Sequence, residues 1–179
     1  MRSGGGIRQE TSFGKKHRTI ITCDYVVDIV EIARPFKMRT LITVFIVAVL
    51  LNYLWELAQA PLYAGMEEYS AGLLWHCFVA SLGDGIMVLL IVAVGWMIFQ
   101  RWDWFERPGV AGYLLMLTAG LALAVLVEWV AVHILDRWQY TDTMPTLLRL
   151  RIGLVPIAQM LLLPPLVFRA VARFGLRKT

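Results

Sequence analysis

Charge is what this chain has least of. Of its 179 residues, 17% are Asp, Glu, Lys or Arg, against roughly 25% in soluble domains. A soluble core of this length has too little interior for a sequence that is 59% hydrophobic. Lipid removes that limit, because a spanning helix buries apolar side chains all round. Cysteine is also scarce. Cys23 lies in a basic N-terminal stretch and Cys77 in an apolar run. The two are expected in different compartments, so no disulfide is predicted. The common catalytic signatures are missing: G-x-S-x-G, a P-loop, a dinucleotide fingerprint and a haem-type C-x-x-C-H, and no D-x-x-x-D metal-diphosphate pair lies within an apolar run. No two His residues sit one helical turn apart, so neither a metal site nor a cofactor is predicted. The first apolar run is long enough to span and no small-residue cleavage site is read after it, so no cleavable signal peptide is expected. The net charge of +4 does not point to nucleic acid. The basic residues cluster between apolar runs, with no stripe interleaved with base-stacking aromatics.

What is present is four apolar runs, at about residues 40–62, 72–99, 110–135 and 152–171. Each is long enough for a helix crossing the ~30 Å of bilayer hydrocarbon. None shows the two-residue alternation of a membrane barrel strand. The expected fold is all-α, a polytopic four-transmembrane-helix bundle spanning 39–172. Fourteen Lys and Arg fall on the N-terminal side of such a topology and three on the other. The positive-inside rule then puts both termini in the cytoplasm. Trp75, Trp102, Trp104 and Trp138 lie near span ends, where interfacial aromatics belong. Residues 1–38 form a basic segment expected to be partly disordered or interfacial. Met38 opens "MRTLITVFIV" and reads equally well as a natural start, which would make the preceding residues an over-extended frame or added leader. Residues 173–179 form a basic tail.

Polar residues inside the runs carry the functional signal. Asn52, Glu56, Gln59 and Tyr63 are spaced to share one helical face. With the N-terminus inside, they occupy the outer half of the first span. His76, Ser81 and Asp84 fall in the outer half of the second, Glu128 and Trp129 in the outer third of the third, and Pro156 and Gln159 in the outer half of the fourth. The inner halves are nearly pure hydrocarbon. A charged side chain at mid-membrane costs at least about 2.5 kcal/mol on insertion scales. Three carboxyls with no Lys or Arg at that depth are therefore expected to group in one polar pocket, which is the environment of a general acid. The loop "DRWQYTDTMP" places Trp138 and Tyr140 above it as a lid or rim. Gly83-Asp84-Gly85 is expected to loosen the second helix, and Pro164-Pro165 to kink the fourth.

The patterns N-x-x-W-E-x-x-Q-x-P-L-Y, W-H-C-x-x-A-S-x-G-D, E-W with W-x-Y-T-x-x-M-P, and G-x-x-P-x-x-Q-x-x-x-x-P resemble a family of small bacterial inner-membrane proteins. The resemblance covers nearly all of residues 38–171. It implies a four-helix protein of the bacterial inner (plasma) membrane and supplies no activity. A weaker likeness, to small lycopene cyclases, carotenoid hydratases and EXPERA-domain sterol isomerases, implies protonation of a double bond by an intramembrane carboxyl. The chain lacks the cyclases' Pro-x-Glu-Glu signature and the isomerases' full His/Glu set. Two readings stay open. In one, Glu56, Glu128 and Asp84 perform acid/base chemistry on a lipid or isoprenoid. Asn52, Trp55, Gln59, His76, Ser81, Trp129, Trp138, Tyr140 and Gln159 then bind or orient the substrate. In the other, the chain is a non-catalytic subunit, ligand-binding protein or small permease, and the polar groups staple helices. Expected partners are membrane lipids, a hydrophobic small molecule and, in the second reading, another membrane protein.

Overall fold

The structure is a computed structural model that describes residues 38–66, 68–147 and 149–176, with side chains to 173. The readings made on residues 1–37, Cys23 among them, and on the end of the basic tail lie outside the described residues.

The four apolar runs become four helices: α1 (Met38–Gln59), α2 (Ala71–Phe99), α3 (Gly109–Trp129) and α4 (Leu154–Leu176). A 3-10 turn, Ala60–Leu62, prolongs α1, and a π-helical turn, Val130–Ile134, prolongs α3. The helices are long and apolar enough to cross a membrane. Much of that apolar surface faces outward. On α1, Ile42, Ile46, Leu50 and Leu54 recur every fourth residue and are 50–65% exposed.

Helix α1 packs on α2 and α4, and α3 packs on α4 and α2, closing a four-helix ring. Small residues set how closely the helices meet. A Cβ on Gly85 would lie 2.8 Å from Val49 and 2.9 Å from Phe45 of α1. The expectation of a loosened Gly83-Asp84-Gly85 stretch is corrected here, since α2 runs unbroken through it and Gly85 serves packing instead. Helix α4 continues through Pro164 and Pro165. Proline has no N–H, so Pro164 leaves the Met160 carbonyl without its usual helical donor. That carbonyl faces Gly120 of α3, where a Cβ would approach it to 2.3 Å. The missing bond and the glycine belong to one close contact.

The two ends of the bundle differ. At one end, the α2–α3 connection folds inward. Trp104 is 2% exposed, covers Gly95 and donates its indole N–H to the Val92 carbonyl at 3.0 Å. Phe168 meets Trp104 at 5.9 Å and Phe105 at 5.1 Å. Trp104 is therefore a core residue and not the interfacial one expected from its place in sequence. The other end is polar.

A short hairpin at the polar end departs from the expected helix start at 152. Strands β1 (Thr146–Leu147) and β2 (Ile152–Gly153) pair antiparallel, Thr146 opposite Gly153. Arg151 turns the chain with φ of +50°, and its N–H and that of Leu150 both donate to the Leu147 carbonyl. Helix α4 begins only after the hairpin.

Candidate functional site

The polar residues of α1 recur at helical spacing and turn toward α4. Gln159 of α4 is where they meet. Its side-chain Nε2 lies 2.8 Å from Asn52 Oδ1, 3.1 Å from Glu56 Oε1 and 2.9 Å from Asp84 Oδ2. Gln59 Nε2 donates to Glu56 Oε1 at 2.8 Å and reaches Gln159 Oε1 at 3.2 Å. An amide NH2 has two hydrogens, so three acceptors around Gln159 Nε2 compete for them. Asn52, Gln59 and Gln159 are each at most 4% exposed. Among the described residues, no buried polar side-chain atom lacks a partner. Satisfied networks of this kind fix one packing of the helices around them.

Glu128 is held separately, from the far end of α3. Tyr140 donates its hydroxyl to Glu128 Oε1 in a very short bond, and the Trp138 indole reaches the same oxygen at 3.4 Å. The Tyr140 oxygen also accepts the Gly153 N–H at 2.9 Å. One phenol thus joins the carboxyl to the hairpin strand.

The loop carrying Trp138 and Tyr140 is strapped down. Tyr63 and Tyr140 form an isolated antiparallel bridge. The Ala64 N–H donates to the Gln139 carbonyl at 2.9 Å, and the Thr141 N–H to the Leu62 carbonyl at 3.0 Å. His133 bonds the Leu150 carbonyl through Nε2 at 2.8 Å. The loop expected as a lid or rim is bonded over the helix ends as a roof. Burial, then the neighbouring Glu128 carboxyl, pushes the Tyr63 hydroxyl above its ordinary range. Burial, then the bond to Glu128, does the same for Tyr140. Both phenols stay protonated, so Tyr140 remains a donor.

Beneath the roof lies a cavity of about 360 Å³, within the range of small-ligand sites. Glu56, Asp84 and Glu128, from three different helices, all line it. Gln59, His76, Trp138 and Gln159 line it too. Asn52 stands behind the wall, bonded to the Ala48 carbonyl and to Gln159.

Three expected site residues lie elsewhere. Ser81 is fully buried and returns its hydroxyl to the Cys77 carbonyl at 2.6 Å. Trp129 is 42% exposed and packs on His133 at 5.9 Å. It follows Glu128 directly, and one residue along a helix turns about 100°, so Glu128 facing in sends Trp129 out. Trp55, next to Glu56, is off the wall by the same rotation and donates to Gln59 Oε1 at 3.2 Å.

The sequence reading missed Arg137, which also lines the cavity. It had counted only as a loop charge. The π-helical turn after Glu128 inserts an extra residue into the α3 spiral, and the Arg137 N–H then closes on the Ala131 carbonyl at 2.9 Å. No helical template predicts that position. Among the described residues, no ion pair reaches any of the three carboxyls, and no three His, Cys, Asp or Glu side chains form a metal-ligand set.

Fold and site together define an all-helical bundle, with helices long and apolar enough to span a bilayer, that encloses a carboxyl-lined cavity at one end. No protein family, curated protein or solved structure matches the chain.

Proposed function

We propose that the chain is a four-span membrane protein whose cavity performs acid/base chemistry on a lipid or isoprenoid substrate. The observation that carries the reading is the convergence of Glu56, Asp84 and Glu128 on one cavity otherwise lined largely by apolar residues. Carboxyls scattered for stapling have no reason to share a chamber. In a low-dielectric space, a carboxylic acid transfers a proton without competing water. Glu128, fixed by Tyr140 and Trp138, is positioned to give or take a proton. Glu56 and Asp84, both bonded to Gln159, form the complementary pair. Two carboxyls on one amide repel when both are charged, and sharing a proton removes the repulsion. The faces of Trp138 and Tyr63 flank the chamber and stabilise developing positive charge on a substrate.

The outward apolar stripes of the helices support insertion in a membrane. The Lys and Arg distribution supports cytoplasmic termini and a cavity beneath the opposite surface. The motif resemblance supports the bacterial inner membrane.

One observation favours a second reading. The buried amides and carboxyls already satisfy one another, which suits a ligand-binding protein or complex subunit that turns nothing over. A comparison of lipid and pigment extracts from wild-type and deletion strains separates the two. The enzymatic reading expects a precursor to accumulate and a product to vanish. Unchanged extracts, with a stoichiometric protein partner retained in mild detergent, would overturn it.

A further inference from the structure

The cavity is not closed on all sides. Its walls include Val79, Gly83 and Met87 of α2 and Ala124 and Val127 of α3. Val79 is 49% and Val127 40% exposed, so the wall they form reaches the accessible surface of the chain. Residues that belong both to the cavity wall and to the outer face mark a side opening between α2 and α3. Gly83 marks it most clearly: it is exposed, and nothing lies within 4 Å of a Cβ built there. From Ala124 to Ile134, the end of the π-helical turn that prolongs α3, is about 15 Å of helix axis, half of the ~30 Å hydrocarbon thickness. At the top of this slot stands Arg137, exposed and lining the cavity. Its guanidinium has no ion-pair partner among the described residues.

A cation at the rim, carboxyls below it and an apolar slot open to the side fit one ligand shape. We infer that the site takes an amphiphile with an anionic phosphate or carboxylate headgroup, held by Arg137, whose hydrocarbon chain enters and lies between α2 and α3. The guanidinium fork matches such a headgroup in a bidentate pair. The headgroup stays at the rim because three acidic groups below disfavour an anion there. The first carbons of the chain then pass Glu128 and Asp84, so the reacting position lies within a few bonds of the headgroup. This deepens the proposed acid/base role and rests on the same cavity, but it concerns binding and stands or falls without turnover.

The test uses the full chain in mild detergent, with lipid binding read by native mass spectrometry. The probes are phosphatidic acid and phosphatidylcholine with identical chains, and glycerol phosphate as a soluble headgroup. The wild type is expected to hold phosphatidic acid about tenfold more tightly than phosphatidylcholine. Arg137→Gln should remove that preference while leaving chain binding. Gly83→Phe places a ring at the opening, from a Cβ position with nothing within 4 Å, and should abolish binding of both lipids. Thermal unfolding of each variant shows that the fold is kept. Equal binding by the wild type, Arg137→Gln and Gly83→Phe would place the lipid on the outer surface and overturn the inference. So would displacement of phosphatidic acid by equimolar glycerol phosphate, since the chain would then be irrelevant. Glu128→Gln should still bind phosphatidic acid. If it does and lipid extracts are nevertheless unchanged on deletion, the acid/base reading fails alone.

Discussion

The two ends of this bundle solve opposite problems with the same four helices. At the apolar end, Trp104, Phe105 and Phe168 fill the space between helices, and Gly95 makes room for an indole. At the polar end, the same helices leave a 360 Å³ chamber and spend amide side chains holding its wall. Rigidity comes from close packing at one end and from hydrogen bonds at the other.

Four experiments sharpen that contrast, the largest effect first. Substituting a carboxyl at the polar end should abolish function without unfolding the protein. Glu128→Gln keeps the shape and an acceptor for Tyr140, but loses proton transfer worth about 10²–10⁴-fold in rate. Product level per folded molecule is the readout, and an active Glu128→Gln would break the contrast. Phe168→Ala at the apolar end should act the other way, costing about 3–5 kcal/mol of stability while the surviving folded protein keeps its activity; a shift in thermal unfolding measures it. Gly120→Ala lies between the two ends. Its new methyl meets the carbonyl of Met160, a residue of the cavity wall, and the cost is about 1–3 kcal/mol or more.

The smallest effect is a pH dependence. Tyr63 and Tyr140 have folded pKa values above the unfolded value of about 10. A group raised in this way stabilises fully below its unfolded pKa and loses that contribution as pH rises toward its folded pKa. Stability should therefore be insensitive to these phenols up to about pH 10 and fall above it. Tyr140→Phe should flatten the decline; an unchanged profile in that variant would assign the decline to other groups.

Much of the fold was legible because lipid-length apolar runs admit few structures. With the short turns that prolong α1 and α3, the first three helices end within about two residues of the runs read from hydropathy; α4 starts two residues late and runs five residues further, to Leu176. At its start the β-hairpin intervenes, held by the left-handed turn at Arg151, and a positive φ on an arginine has no sequence signal. The site was legible where a helix period applied. Asn52, Glu56 and Gln59 share a face because three- and four-residue spacing requires it. Glu128 and Trp129 are adjacent and cannot both face inward, so only one of the pair belongs to the cavity wall. Ser81 returns to its own helix backbone, as hydroxyls inside helices do. Arg137 was hidden by the π-helical turn, which shifts everything after Glu128 out of the helical frame. Gly83 and Gly85 look alike in sequence yet do different work, one bordering an opening and the other pressed against α1.

The most direct test is to complement a deletion strain with the wild type, Glu56→Gln, Glu128→Gln and Phe168→Leu, each at matched membrane abundance, and compare lipid extracts. The account predicts that both carboxyl variants reproduce the deletion profile and that Phe168→Leu restores the wild-type one. Wild-type extracts from both carboxyl variants would contradict it, and the polar end would then be no more than a second way of holding helices together.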